Sequence, residues 1–71
     1  MADKAPLTLS PRELDVLRLV ADGFSAKQIA IRLKIAPRTV EHHIDHARAK
    51  TKALNRTHMI ARVLQTGLLV I

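Results

Sequence analysis

Two helix-start signals, SPRE at 10–13 and SAKQ at 25–28, constrain the fold of this chain more than any other feature. In each, a serine can cap the helix and a glutamate or glutamine three residues later can bond back to it, which is a capping box. Pro37 marks a third start, because proline fits the first helical position. Asn55 or Thr57 can cap a fourth helix. Apolar residues recur at helical spacing after each start, and strand-like alternation is nowhere sustained.

The sequence therefore predicts an all-α, compact four-helix domain with a central helix-turn-helix, with helices at about 11–22, 26–33, 37–51 and 56–66. We expect a flexible N-terminal tail at 1–8 and the domain at 9–71. The third helix should begin less firmly than the others, because Ala36 cannot cap it. The chain has no cysteine, so a domain this small must rely on well-packed helices for stability.

The net charge of +6 is unevenly distributed. Residues 1–22 hold three Lys or Arg against four acids, a sum of −1, and residues 23–71 hold nine against two, a sum of +7. A basic field confined to one part of a domain indicates a polyanionic partner. Phe24 is the only aromatic residue, which argues against a ligand whose unstacked bases need aromatic platforms. No apolar run approaches the ~18 residues that span a bilayer, so we expect a cytoplasmic protein with no membrane partner.

The third helix divides into faces when its residues are placed ~100° apart. An inward stripe consists of Val40, Ile44, Ala47 and Thr51. An outward strip consists of Arg38, His42, Asp45 and Ala49. One flank holds Thr39, His43, His46 and Lys50, and the other holds Glu41, Arg48 and Lys52. This layout suits a helix in a DNA groove, where the flanks meet phosphates and the centre meets bases.

The two acids of this helix, Glu41 and Asp45, have two interpretations. Either carboxylate could accept a hydrogen bond from a cytosine amino group. Alternatively, Glu41 could hold Arg38 and Asp45 could hold Arg48, each three residues away along the same helix. Both interpretations remain open at the level of sequence.

A short helix, a three-residue turn and a longer basic helix form a helix-turn-helix pattern. From LSPRE at 9–13 through ADGFSAKQIA at 21–30 and TV at 39–40 to GL at 67–68, the chain resembles the LuxR-type (LuxR/FixJ) DNA-binding domain of bacterial transcriptional regulators. The resemblance implies sequence-specific binding of double-stranded DNA. The third helix would lie in the major groove, and the protein would bind as a homodimer on a two-fold symmetric site.

The resemblance also implies roles for individual residues. Base-facing positions are Glu41, His42 and Asp45. Positions that touch or flank phosphates are Lys27, Arg38, Thr39, His43 and Lys50, to which the helical projection adds Arg48 and Lys52. The fourth helix commonly makes the dimer contact in this family, so dimerisation is assigned to Met59, Ile60, Val63 and Leu64, although helical spacing alone cannot separate core from dimer face.

The chain departs from the family's usual pattern at several positions. Glu41 stands where lysine is common, and Ala26 stands where asparagine is common. Ala47 replaces a large apolar residue, Thr51 replaces leucine, and Lys52 replaces the glycine that follows it. These changes predict looser packing at the C-terminal end of the third helix.

Two other functions are compatible with a helix-turn-helix pattern. A sigma-factor-like promoter-reading domain shares the pattern but usually ends soon after the third helix, and a helix-turn-helix domain could instead serve protein–protein interaction. No set of residues supports an enzyme. His42 and His46 have a chelating spacing. The only third ligands within sequence reach are Asp45 and His43, and His43 points elsewhere, so we expect no metal and no cofactor. RNA polymerase is a further candidate partner, and DNA binding would place the protein on the nucleoid.

Overall fold

The computed structural model describes residues 8–69, and within that range it contains four helices and no strand. The helices are α1 Pro11–Ala21, α2 Ala26–Leu33, α3 Pro37–Thr51 and α4 Arg56–Thr66. The all-α, four-helix prediction is therefore confirmed. Helix α1 ends one residue before the predicted boundary, because Asp22 is its C-cap. Except for Thr8, which is exposed, the predicted tail lies outside the described residues.

Both predicted capping boxes are present. The Glu13 backbone N–H donates to Ser10 Oγ at 3.0 Å, and the Ser10 N–H donates to Glu13 Oε1 at 2.8 Å. Ser25 and Gln28 make the same two bonds at 3.2 and 2.8 Å. Each box satisfies N–H groups that a helix start would otherwise leave without partners. The sequence alone thus locates the starts of α1 and α2.

The other two helices begin differently. Ala36 precedes α3 without a side-chain cap, as expected, and Pro37 occupies the first turn. Asn55, rather than Thr57, caps α4, because its Oδ1 accepts from the His58 N–H at 2.9 Å. His58 Nδ1 in turn accepts from the Leu54 N–H at 3.0 Å, which fixes the turn between α3 and α4.

Helix α3 is the centre of the packing and contacts each of the other three helices. The core draws on every helix and on the segment after α4, and its fully buried large side chains are Val16, Leu17, Ile29, Val40, Ile44, Met59, Val63 and Leu69. Leu69 shows that the C-terminal segment packs onto the domain, while Val70 and Ile71 lie outside the described residues. No described helix has the length and apolar character needed to cross a membrane.

The assignment of α4 to a dimer contact needs correction at two positions. Met59 and Val63 are 0% exposed, because they face α1 and α3 within the core. They are therefore unavailable to a partner chain in this fold. Ile60 is half-buried against the core, and Leu64 is 38% exposed. The apolar surface that α4 could offer a partner chain therefore lies on the side that carries Leu64.

The C-terminal end of α3 is better packed than the sequence suggests. Ala47 and Thr51 are both buried, and Thr51 Oγ1 can donate to the carbonyl oxygens of Ala47 at 2.9 Å and Arg48 at 3.0 Å. These bonds satisfy a hydroxyl that stands where an apolar side chain is usual. Lys52 ends the helix with φ 54° and ψ 38°, the left-handed conformation that favours glycine. The turn therefore keeps a glycine-like backbone despite the lysine.

Candidate nucleic-acid interface

The turn between α2 and α3 sets the angle between these two helices. Lys34 caps α2 in the left-handed conformation, with φ 58° and ψ 45°. The Ile35 N–H then donates to the Ala30 carbonyl at 3.1 Å, and α3 begins at Pro37. Ile29 and Ala30 on α2 and Val40 on α3 are buried at this corner. The two helices thus form a helix-turn-helix whose crossing is fixed by apolar contacts.

The apolar stripe of α3 faces the core, and its opposite side is open. The predicted inward residues, Val40, Ile44, Ala47 and Thr51, are all buried. None of the ten predicted DNA-facing side chains is buried. Exposed among them are Lys27, Arg38, His42, Asp45, Arg48, Lys50 and Lys52, and half-buried are Thr39, Glu41 and His43. Nine of the ten lie on α3 or at its C-cap, and Lys27 lies on α2.

Four basic side chains on this surface are free cations. Within residues 8–69, Lys27, Arg38, Arg48 and Lys52 form no ion pair with any carboxylate. Exposed Lys and Arg groups without an intramolecular partner are available to neutralise phosphates. The open side of α3 therefore presents a positive surface.

Lys50, in contrast, is tied to the domain. Its Nζ donates to Glu13 Oε1 at 2.8 Å, which links the end of α3 to the start of α1. The Glu13 side chain is only 5% exposed, so the carboxylate depends on this partner. The Lys50 side chain is exposed, so it could also contact a phosphate, but within the domain it is bound to Glu13. The sequence gives no local signal for this contact, since the two residues lie 37 positions apart.

Glu13 is the one described group whose pKa departs clearly from its ordinary value. Burial by itself raises the pKa of its carboxyl. Hydrogen bonds from Lys50, from the Ser10 backbone and from the Ser10 hydroxyl, with the positive charge of Lys50, outweigh burial and hold the pKa below its usual range. His46 Nδ1 lies 4.0 Å from the second carboxylate oxygen. Glu13 is therefore a charged structural group that links α1 to α3.

Glu41 does not hold Arg38. Instead, its Oε1 accepts a hydrogen bond from Arg56 Nη2 at 2.6 Å, which joins the border of the outward strip to the first residue of α4. Spacing within α3 could not reveal this partner, because it comes from the next helix. Asp45 does not hold Arg48 either: it is exposed and forms no ion pair with any described residue. The two acids thus differ, one paired and one free.

The histidines of α3 line the open side without forming a metal site. The rings of His42 and His46 stack with centroids 6.3 Å apart and planes 15° apart. Among the described residues, no group of three or more histidine, cysteine or acidic side chains is placed to hold a metal ion. The ring nitrogens can donate to, or accept from, DNA groups. Phe24, the only aromatic residue of the chain, packs under the Arg32 guanidinium at 4.2 Å and offers no platform for base stacking.

These features, a helix-turn-helix corner and an open basic face on its second helix, coincide with a family match. Residues 7–63 match the model described as "Bacterial regulatory proteins, luxR family". The chain belongs to the LuxR family. The transcriptional regulatory protein FixJ of Rhizobium meliloti is 45% identical over 60 residues, which cover 84% of this chain and 29% of FixJ. This LuxR-type domain is thus part of a transcriptional regulator family, and the resemblance that its sequence motifs indicated is confirmed.

Solved structures agree with the fold. The transcription factor GerE superposes with a TM-score of 0.84 at 34% identity, covering 87% of this chain and 92% of that one. VqmA of Vibrio cholerae matches both as a dimer without target DNA, with a TM-score of 0.84 at 29% identity, and as a complex with ligand and DNA, with a TM-score of 0.82 at 32% identity. This chain is covered over 99% and 100% of its length in those matches, and VqmA over 33% and 32%.

The relatives also bear on what the domain does not do. The family and the matched proteins are transcriptional regulators, which confirms the prediction that the LuxR-type domain is not an enzyme. The family match favours the LuxR type over the sigma-factor-like alternative. The chain spans between 7% and 30% of the length of the curated relatives it matches, so it corresponds to one domain of those longer regulators.

Proposed function

We propose that the chain reads double-stranded DNA sequence-specifically for a bacterial transcriptional regulator, with α3 in the major groove. One observation carries this proposal: the apolar stripe of α3 packs against the other three helices, while its opposite side presents hydrogen-bond donors and cations that form no ion pair within residues 8–69. A helix held in this way can enter a major groove as a rigid unit. The solved complex of VqmA with ligand and DNA supports DNA as the partner of this domain.

The proposed contacts fall into two groups. His42, Asp45 and Glu41 face base edges, where histidine can donate and a carboxylate can accept from the cytosine amino group. Phosphate contacts come from the flanking donors: Lys27, Arg38, Thr39, His43, Arg48, Lys50 and Lys52. Phosphate contacts fix the register of the protein on the duplex, and base contacts select the sequence.

A dimer completes the proposal. One helix-turn-helix touches few base pairs, and two-fold symmetric sites are read by dimers. On α4 the exposed Leu64 and, just beyond the helix, the exposed Leu68 are the apolar side chains available for such a contact. VqmA is described as a dimer, which supports a dimeric state but does not bear on which residues make the contact. RNA polymerase is a further proposed partner, which an activator would contact while bound to DNA on the bacterial nucleoid.

The test is selection of bound duplexes from a random pool, followed by measurement of affinity against salt concentration. We expect a two-fold symmetric consensus and a steep fall of log affinity with log salt, because several phosphates are neutralised. Arg38→Ala should weaken binding uniformly across sequences and make the salt slope shallower by about 1. Arg18→Ala is the matched control, because it removes the same charge from an exposed residue of α1 and leaves α3 unchanged.

The result that would overturn the proposal is equally specific. Absence of duplex binding, or binding that ignores salt, would favour the alternative of a protein-interaction module. Equal effects of Arg38→Ala and Arg18→Ala would show that binding follows net charge and does not use the open side of α3.

A further inference from the structure

The contact between Glu41 and Arg56 joins two residues with different surroundings. Glu41 lies on the border of the outward strip of α3, and Arg56 is the first residue of α4. Their side chains are 45% and 47% exposed, and the Nη2–Oε1 distance is 2.6 Å. The pair is thus at the surface that is proposed to meet DNA, and neither side chain is needed to fill the core.

The position of Arg56 explains why it needs a counter-charge. A helix carries partial positive charge at its N-terminus, where acids are favourable and cations are not. The first turn of α4 contains no acidic residue. Glu41 supplies the missing negative charge from the neighbouring helix. The pair therefore offsets an unfavourable charge at the start of α4.

Glu41 is an acid at a surface that is proposed to meet the negatively charged DNA. A carboxylate brought to a duplex enters the negative field of the phosphates, which repels it. With the guanidinium of Arg56 bound to one of its oxygens, the carboxylate approaches DNA as part of a neutral pair. A charge-assisted hydrogen bond also restricts the orientation of the carboxylate. Arg56 can thereby make an acid acceptable on a DNA-reading helix.

We propose that Arg56 is a specificity-determining positioning residue, which neutralises Glu41 and orients its carboxylate toward a base edge, so that the two residues meet DNA as one unit. This inference rests on the proposed function. It assigns to α4 a part in sequence reading, and it makes the base preference given by Glu41 depend on a residue outside the helix-turn-helix.

The experiment is a double-mutant cycle on DNA with Arg56→Gln, Glu41→Gln and the double variant. Arg56→Gln leaves the acid unpaired and should weaken binding at low salt. Glu41→Gln frees a cation, which should tighten binding and remove one base preference. The double variant has the native net charge and should bind with about the native affinity, so the coupling between the two sites, about tenfold, is measured as a change in discrimination between the preferred base and its competitors.

Two controls separate positioning from general effects. Arg62→Gln removes the same charge from α4 at an exposed residue that has no ion-pair partner among residues 8–69. Its effect should be the same with Glu41 or Gln at position 41. Arg56→Lys keeps the charge and should restore most of the affinity and the base preference. Thermal unfolding of each variant checks that the domain is folded.

The outcomes are distinct. Arg56→Gln should alter the preferred base in the native background and leave it unchanged in the Glu41→Gln background. An unchanged base preference in Arg56→Gln, or a change of base preference that persists without Glu41, would overturn the inference while leaving the proposed function intact. If the native chain binds no duplex, the proposed function fails and this inference fails with it.

Discussion

Two glutamates of this basic chain show how burial decides the role of a carboxylate. Glu13 is buried, closes the capping box of α1 and receives Lys50 from α3. Glu41 is half-exposed and pairs with Arg56 beside the open side of α3. A buried carboxylate without its partner is strongly unfavourable, whereas an exposed pair contributes little to stability. Glu13 therefore stabilises the fold, and Glu41 is available to the proposed DNA interface.

Replacing Glu13 by Gln tests this distinction through pH. Because the pKa of Glu13 is held below its ordinary value of 4.5, its contribution to stability is present above that value and is lost as pH falls through the lowered pKa. At pH 7 we expect Glu13→Gln to reduce the free energy of unfolding by about 1–2 kcal/mol, since a charged hydrogen-bonded group is lost. The difference from the native chain should shrink at pH 3. Urea denaturation at both pH values measures it.

Asp15→Asn is the matched control for this measurement. Asp15 lies on the same helix but is half-exposed, and its nearest cation, Arg12, is 3.8 Å away. We expect a change in stability close to zero at pH 7. A loss as large as that of Glu13→Gln would mean that acids on α1 act through general charge and not through the Lys50 contact.

At the scale of helices, both starts and ends lie within one residue of the prediction, whereas the backbone conformation of two helix ends and the contacts between helices could not be predicted. A capping box is a local pattern, so SPRE and SAKQ locate α1 and α2 within the sequence itself. The left-handed ends at Lys34 and Lys52 carry no glycine to announce them. The partners of Glu13 and Glu41 come from other helices, so spacing within one helix could not find them. For the same reason, spacing could not assign Met59 and Val63 to the core.

The left-handed lysines give a prediction about helix ends. A side chain with a Cβ is strained at positive φ, and glycine is not. Lys52→Gly should therefore raise the free energy of unfolding by about 0.5–1 kcal/mol, after allowance for the extra freedom of glycine in the unfolded chain. Lys34→Gly should act in the same direction. Chemical denaturation of both variants measures the change.

The control is Arg48→Gly, which places glycine in the last turn of α3 at an exposed residue with helical backbone. We expect a loss of about 1 kcal/mol there, because glycine is a poor helix former. If Lys52→Gly destabilises the domain as much as Arg48→Gly does, the lysine side chain must contribute more than its backbone strain removes.

At the scale of the molecule, the core takes one face of α3 and one face of α4 and leaves their other faces exposed. The apolar stripe of α3 is buried against the other helices, and the opposite side of α3 stays exposed and available to a ligand. Helix α4 buries Met59 and Val63 and has only a narrow apolar edge left at Leu64. The proposed DNA and dimer interfaces therefore fall on the faces of α3 and α4 that are not buried in the core. We therefore expect the proposed dimer contact to be small and centred on Leu64.

Leu64→Asp tests the dimer contact. A charge placed on the apolar edge of α4 should weaken self-association about tenfold or more, because contacts near the centre of an interface dominate its affinity. It should leave the fold intact, since Leu64 is 38% exposed, whereas Val63→Asp should unfold the domain. Leu54→Asp is the matched control, because Leu54 is 83% exposed in the turn before α4. Sedimentation with and without a symmetric duplex gives the oligomeric state, and a dimer that survives Leu64→Asp but not Leu54→Asp would move the contact to the α3–α4 turn.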